Sequence, residues 1–128
     1  MAEPAVARSL RDVHPLFESV FNSADVEGLL ALYEPDAVLT SAPGQEPARG
    51  RDQIRASIIA FLAGGATIQL ETVQAVQAGD LGLLRGKWLI HGSSLDGQPF
   101  VLSGVSAEVL RRQPDGRWLF VIDNPFAG

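Results

Sequence analysis

Few residues in this chain are suited to moving a proton. Asp123 ends the run Leu119-Phe120-Val121-Ile122, which has strand character. In an unbroken strand, Leu119, Val121 and Asp123 share one face. A carboxyl group enclosed by apolar side chains loses hydration, so its pKa climbs and it exchanges protons near neutrality. The structural alternative is a strand-end carboxylate tied to an arginine or to backbone. Asn124 becomes an oxyanion donor if a bend turns it inward. The chain holds two histidines, His14 and His91. Around His91, Leu84, Gly86, Trp88 and Ile90 alternate with Leu83, Arg85, Lys87, Leu89 and His91. Charges at 85 and 87 turn the His91 face toward water, whereas counting back from the Asp96-Gly97 turn points it inward. Inward, His91 pairs with Asp123 as a proton relay. The catalytic candidates are therefore Asp123 and His91. His14 lies beside Leu10, Phe17 and Phe21 and reads as a solvated residue in a first helical turn, with a helix-start histidine packed against the cavity rim as the alternative.

Tyr33 carries a hydroxyl that needs a partner when buried. Trp88, Phe17, Phe21, Phe61 and Phe120 either line an aromatic pocket or simply fill the core. Ser103 and Gln74 are polar positions on sheet faces. The candidate ligand-binding set is Tyr33, Trp88, Asn124, Phe17 and Ser103.

Several chemistries are excluded by residue type. With no cysteine there is no disulfide, thiolate nucleophile or cysteine-based metal site. Two distant histidines without a close acid make no metal motif, so no metal is expected. There is no glycine-rich phosphate loop after a strand and no Gly-x-Ser-x-Gly elbow. Gly64-Gly65 follows a helix, and Ser93-Ser94 falls at a hairpin tip. No cofactor is expected. The 128 residues carry fifteen acids against nine arginines and one lysine, a formal charge of −5. That balance argues against a nucleic-acid partner, which would call for a basic stripe. No apolar run approaches the ~20 residues of a membrane span, and the opening MAEPAVARSLRD does not read as a leader peptide. The expected setting is a soluble, cytoplasmic protein.

The elements that must position these residues follow from periodicity. Val6, Leu10, Val13, Phe17, Val20 and Phe21 recur at helical spacing. Pro15 means that the helix starts near Asp12 or kinks there. Asp25 can cap a second helix carrying Val26, Leu29, Leu30 and Tyr33, ended by Pro35. Residues 37–40 form a short strand. A third helix carries Ile54, Ile58, Phe61 and Leu62 and stops at Gly64-Gly65. Four strands follow, at 67–77, 81–92, 99–113 and 117–124, separated by Gly79-Asp80, Asp96-Gly97 and Pro114-Asp115-Gly116. They should form an antiparallel meander. Helices first and a meander after make a single α+β domain. A strongly bent sheet wrapped on helices leaves a cone whose mouth is a ligand cavity.

Several stretches carry a family resemblance. Residues 22–38, NSADVEGLLALYEPDAV, resemble the helix–helix–strand opening of the NTF2-like superfamily, which includes ketosteroid isomerases and SnoaL-like polyketide cyclases. Residues 50–55, GRDQIR, resemble its third-helix start. Gly79-Asp80 before a strand with Gly86-Lys87-Trp88 also fits, as does the ending from Glu108 to Trp118 followed by Ile122-Asp123-Asn124-Pro125. That ending is closest to SnoaL-like proteins of bacterial secondary metabolism, including enediyne clusters. The resemblance implies three N-terminal helices on a strongly curved antiparallel sheet, with Asp123 facing into the cone and Tyr33 reaching it. Some relatives use such an aspartate as acid–base in an aldol closure. Ketosteroid isomerases instead use a helix-1 tyrosine, an aspartate past the first strand and a later acid. Those positions fall here on Phe17, on Ser41, and on Ser103 or Val105, so ketosteroid-type isomerisation is not expected. An epoxide hydrolase of this fold needs an Asp–Arg–Asp cluster, and no second cavity acid is placed.

The expected function is a cofactor-independent isomerase, cyclase or dehydratase acting on a small apolar, polyketide-like metabolite. The alternatives are a non-catalytic binding protein for such a ligand and a dimeric scaffold. A homodimer through the sheet is expected, because Leu81–Ile90 is apolar on both faces.

Overall fold

A computed structural model describes residues 6–128. The leader expectation rests partly on residues 1–5, which lie outside the described residues. The chain opens with a 3-10 turn, Leu10–Asp12, that runs directly into α1, Val13–Asn22. Pro15 is the third residue of α1, within the first turn, where an amide N–H has no intrahelical acceptor to lose. Of the two readings at Pro15, the start near Asp12 therefore holds. Val6 is partly exposed ahead of the turn and does not share the helical face. The segment beside it runs along the sheet, and Ala7 O accepts from Trp118 N at 2.9 Å.

Helix α2, Val26–Leu30, is capped as expected, with Asp25 Oδ1 accepting from Gly28 N at 2.9 Å. It is shorter than periodicity suggests. Tyr33 does not belong to it but begins β1, Tyr33–Leu39. Pro35 therefore lies within a strand rather than ending a helix. It is tolerated there because the ladder between Tyr33 and Val38 is irregular and demands no N–H from it. A two-residue strand, β2 (Ala48–Arg49), leads into α3, Gly50–Leu62.

The remaining strands are β3 (Thr67–Ala78), β4 (Leu81–Ser93), β5 (Pro99–Arg112) and β6 (Trp118–Asn124). They form the expected antiparallel meander. Gly79, at φ 61°, supplies the left-handed residue of the two-residue β3–β4 turn. The sheet order is β2-β1-β6-β5-β4-β3. Two pairings lay outside the sequence reading: β1 adds to β6 in parallel, and β2 adds to β1 antiparallel. The fold is an α+β cone, with helices packed on a curved six-stranded sheet.

Three register shifts shape the cone. They fall between Tyr33 and Val38 in β1, between Thr72 and Gln74 in β3, and opposite Val109/Leu110 in β6. Each bulge bends its strand and changes which residues face inward beyond it. The core fills the concave side, where Leu84, Leu110, Ile54 and Leu29 are fully buried. No helix among the described residues is long and apolar enough to cross a membrane.

Candidate functional site

The inner faces of the strands and the helices enclose a cavity of about 80 Å³, room for several waters or part of a small ligand. Its walls are chiefly aliphatic and aromatic, with Phe17, Phe21, Trp88 and Phe120 among them. Phe61 and Phe126 also line it and stay partly exposed. Five polar side chains reach the lining: His14, Tyr33, Ser106, Glu108 and Asp123.

Asp123 faces inward, but by a different route from the expected alternation. In β6, Phe120 pairs with Leu110, whereas Ile122 pairs with Val109 and Asp123 with Glu108. Val121 is the extra residue, so Phe120 and Asp123 share the cavity side. The expected grouping of Leu119, Val121 and Asp123 is broken by this bulge. Asp123 is buried, and its Oδ2 accepts from the Tyr33 hydroxyl at 2.6 Å. Tyr33 reaches it because β1 lies beside β6, with Tyr33 in register with Phe120 and Leu39 with Asp123. The Tyr33 and Phe120 rings pack 5.0 Å apart, and Phe17 meets Phe120 edge-on at 6.0 Å.

Burial first, and then the neighbouring Glu108 charge, push the Asp123 carboxyl up to about 7 against the opposing effect of the Tyr33 hydrogen bond. The Tyr33 hydroxyl is held well above the usual phenol range, first by burial and then by the Asp123 charge. Thus Tyr33 remains a donor while Asp123 exchanges its proton near neutrality.

The cavity histidine is His14, not His91. His14 is 2% exposed, against the expectation of a solvated first-turn residue. Its Nε2 contacts Glu108 Oε1, and its Nδ1 lies 2.8 Å from Thr72 Oγ1. A carboxylate can only accept, so Nε2 carries the proton at that contact. The Thr72 hydroxyl can donate to or accept from Nδ1. Room for the ring comes from Gly86 on β4, where a Cβ would stand 2.9 Å from His14 Cε1. Gly86→Ala should therefore displace the imidazole and cost about 1–3 kcal/mol. Urea denaturation and the His14 ring resonances by NMR check this, and unchanged resonances would mean that the ring is not seated there.

The other expected site residues divide clearly. Trp88 and Phe17 line the cavity. The Trp88 indole N–H donates to Pro125 O at 2.8 Å. His91 is exposed, because β4 keeps strict alternation and the inward face is Leu84, Gly86, Trp88 and Ile90. The inward placement of His91 and its pairing with Asp123 are corrected accordingly. Ser103 is exposed on β5, opposite Leu89, so it does not reach the cavity. Asn124, next along from Asp123, turns away. Its Oδ1 accepts from Thr40 Oγ1 at 2.7 Å and from Phe126 N at 3.1 Å, which ties down the chain end. Ser41 donates to Glu46 O at 2.8 Å in the loop after β1.

Glu108 is the second cavity acid that sequence reasoning did not place. A signal for it existed in β5, where Gly104, Ser106, Glu108 and Leu110 occupy alternate positions with a buried leucine at the end. No arginine reaches the lining, so the Asp–Arg–Asp arrangement of an epoxide hydrolase is not formed. Among the described residues, no group of three or more His, Asp or Glu side chains is disposed to hold a metal ion.

A family model described as the SnoaL-like domain matches residues 13–121. The chain belongs to the SnoaL-like family. The match runs from the start of α1 into β6 and includes the His14, Tyr33 and Glu108 positions. No curated protein matches the chain. Solved structures resemble this SnoaL-like domain throughout. A ketosteroid isomerase-like protein from Erwinia carotovora atroseptica is 20% identical, with TM-score 0.79 and 90% of each chain covered. A conserved protein from Planctomyces limnophilus is 19% identical, with TM-score 0.81 and 91% of each chain covered. An NTF2-like protein with a cystatin-like fold from Novosphingobium aromaticivorans is 22% identical, with TM-score 0.73, covering 89% of this chain and 76% of that one. At these identities the likeness concerns the fold, which hosts many chemistries.

Proposed function

We propose that this SnoaL-like domain is a cofactor-independent acid–base enzyme acting on a small apolar carbonyl compound. The observation that carries this reading is Asp123: a buried carboxyl poised near pH 7, oriented by Tyr33, at the wall of an apolar cavity. A carboxylate in that setting is a competent base toward a carbon acid α to a carbonyl, and its protonated form is the acid that returns the proton. Tyr33 orients the carboxyl and moderates its basicity. Phe17 and Trp88 supply apolar walls for the ligand body, and His14 takes the place assigned by sequence to His91. Isomerisation, aldol cyclisation and dehydration all begin with this proton transfer. A polyketide-like metabolite of bacterial secondary metabolism, of the kind handled in enediyne clusters, matches the lining, and the cytoplasm is the proposed setting.

The test is hydrogen–deuterium exchange at the α-carbons of 2-tetralone in D2O, followed by proton NMR. The wild type should accelerate exchange near pH 7, and Asp123→Asn should not. Binding of tetralone without exchange would replace the enzyme by a ligand-binding protein. Exchange at equal rates in both proteins would remove Asp123 from the mechanism.

We also propose a homodimer through the outer sheet face. Ile122, Val109, Leu83 and Val76 form one cross-strand row there, and three of the four are more than a third exposed. Light scattering should give twice the 13.6 kDa chain mass. A concentration-independent monomer would overturn this.

A further inference from the structure

Two hydrogen-bonded pairs meet inside the cavity, one on each of two neighbouring strands. Tyr33 donates to Asp123 on β6, and His14 contacts Glu108 on β5 while Thr72 holds the far side of the imidazole. Glu108 and Asp123 are direct cross-strand partners on the inner face. Facing side chains at such positions have Cβ atoms about 4.5–5.5 Å apart, within reach for two carboxyl groups to share a proton. The Glu108 side chain is 3% exposed, and its Oε2 is sealed from water with no hydrogen-bond partner. An ionised oxygen left that way is costly, so the site calls for a donor. The inward-facing titratable groups around it come from three other elements: His14 on α1, Tyr33 on β1 and Asp123 on β6. His14 is committed to Oε1 and Tyr33 to Asp123. The Ser106 hydroxyl, also in the lining, is directed to Gly86 O, so the Asp123 carboxyl is the donor that remains.

We propose that Asp123 and Glu108 hold one proton between them, donated from the Asp123 carboxyl to Glu108 Oε2, and that His14, held by Thr72, keeps that proton on the Asp123 side. Below the Asp123 midpoint the pair then carries one negative charge rather than two, which lowers the cost of burying them side by side. Glu108, His14 and Thr72 act through Asp123 and are positioning residues. This deepens the acid–base reading and rests on it, adding residues that set when the base is free. When Asp123 takes a proton from a ligand, the acceptor oxygen on Glu108 is already in place to stabilise the acid formed.

The test is carbon-13 NMR of side-chain carboxyls in the protein labelled at aspartate and glutamate, followed against pH without substrate. In the wild type, the Asp123 carboxyl carbon should titrate near 7, and the Glu108 carboxyl carbon should respond to that same titration. A Glu108 carbon indifferent to the Asp123 titration overturns the shared proton. In Glu108→Gln, the amide N–H takes the Oε2 position and the charge is gone, so the Asp123 midpoint should drop by at least about one pH unit, a tenfold change in proton affinity. An unmoved midpoint overturns the proposal. In His14→Phe, the proton should pass to Glu108, leaving Asp123 ionised at pH 6, whereas a merely structural His14 would leave the Asp123 midpoint in place. The wild-type measurement decides the matter even if a variant fails to fold. These signals report protonation alone, so their failure is distinct from a failure of tetralone exchange.

Discussion

Asp123→Asn should make the protein more stable at pH 8 while abolishing the proposed proton transfer. In the unfolded chain an aspartate ionises near 3.8, whereas in the fold Asp123 holds its proton to about 7. The folded state therefore binds more protons than the unfolded state across that interval. Its stability is fully present below pH 4, falls as pH rises toward 7, and levels off above. Integrated over the interval, the loss amounts to as much as about 4 kcal/mol. Asparagine has the shape of the protonated acid and never ionises. Its carbonyl can accept from Tyr33, and its amide can donate toward Glu108. At pH 8 the variant should melt roughly 10 °C above wild type, and at pH 4 the two should nearly coincide. Thermal melts at pH 4, 6 and 8 measure this directly. If wild type and variant fall in parallel with pH, Asp123 is not the group that holds the proton. A stability gain with a loss of exchange would identify the buried charge as a feature retained for chemistry at the expense of the fold.

The second large effect is expected at Phe120. Its ring is 2% exposed and lies between Tyr33 and Phe17, opposite Leu110 across β5. Phe120→Ala should cost about 3–5 kcal/mol, from lost transfer energy and the void left behind. The functional consequence is separate from the stability loss. That void adjoins Tyr33, and water entering there hydrates the carboxyl three residues along β6. Since burial is the leading cause of the raised Asp123 pKa, its titration midpoint should fall below 7. Urea denaturation measures the first effect and carboxyl carbon-13 titration the second. A destabilised variant whose Asp123 still titrates near 7 would show that Glu108, rather than burial, governs this group.

Much of this was legible in the sequence. The order of helices and strands follows from spacings of three and four giving way to strand runs separated by turns. Asp25 announces the α2 cap, and Gly79-Asp80 a tight hairpin. Strict alternation along β4 separates Trp88 from Lys87 correctly. Asp123, Tyr33, Phe17 and Trp88 were all singled out and all line the cavity. These signals are local. Each depends on residues a few positions apart, which chain geometry relates directly.

The tertiary structure decided the rest. A period of two assigns a strand face only until the first bulge, and one extra residue at Val121 moved Asp123 onto the cavity side with Phe120 rather than with Leu119. The parallel pairing of β1 with β6 alone brings Tyr33 to Asp123, 90 positions along the chain. The contact between His14 and Glu108 spans 94 positions. A polar side chain on an otherwise apolar face is surface or site according to what packs over it. For His14 that partner is a sheet in which alternation puts Gly86 and Glu108 on one face, but nothing local says which helix residue meets them. Residue types and spacing therefore determined which chemistry was available to this protein, and the pairing of distant strands determined which residues were placed together around the cavity.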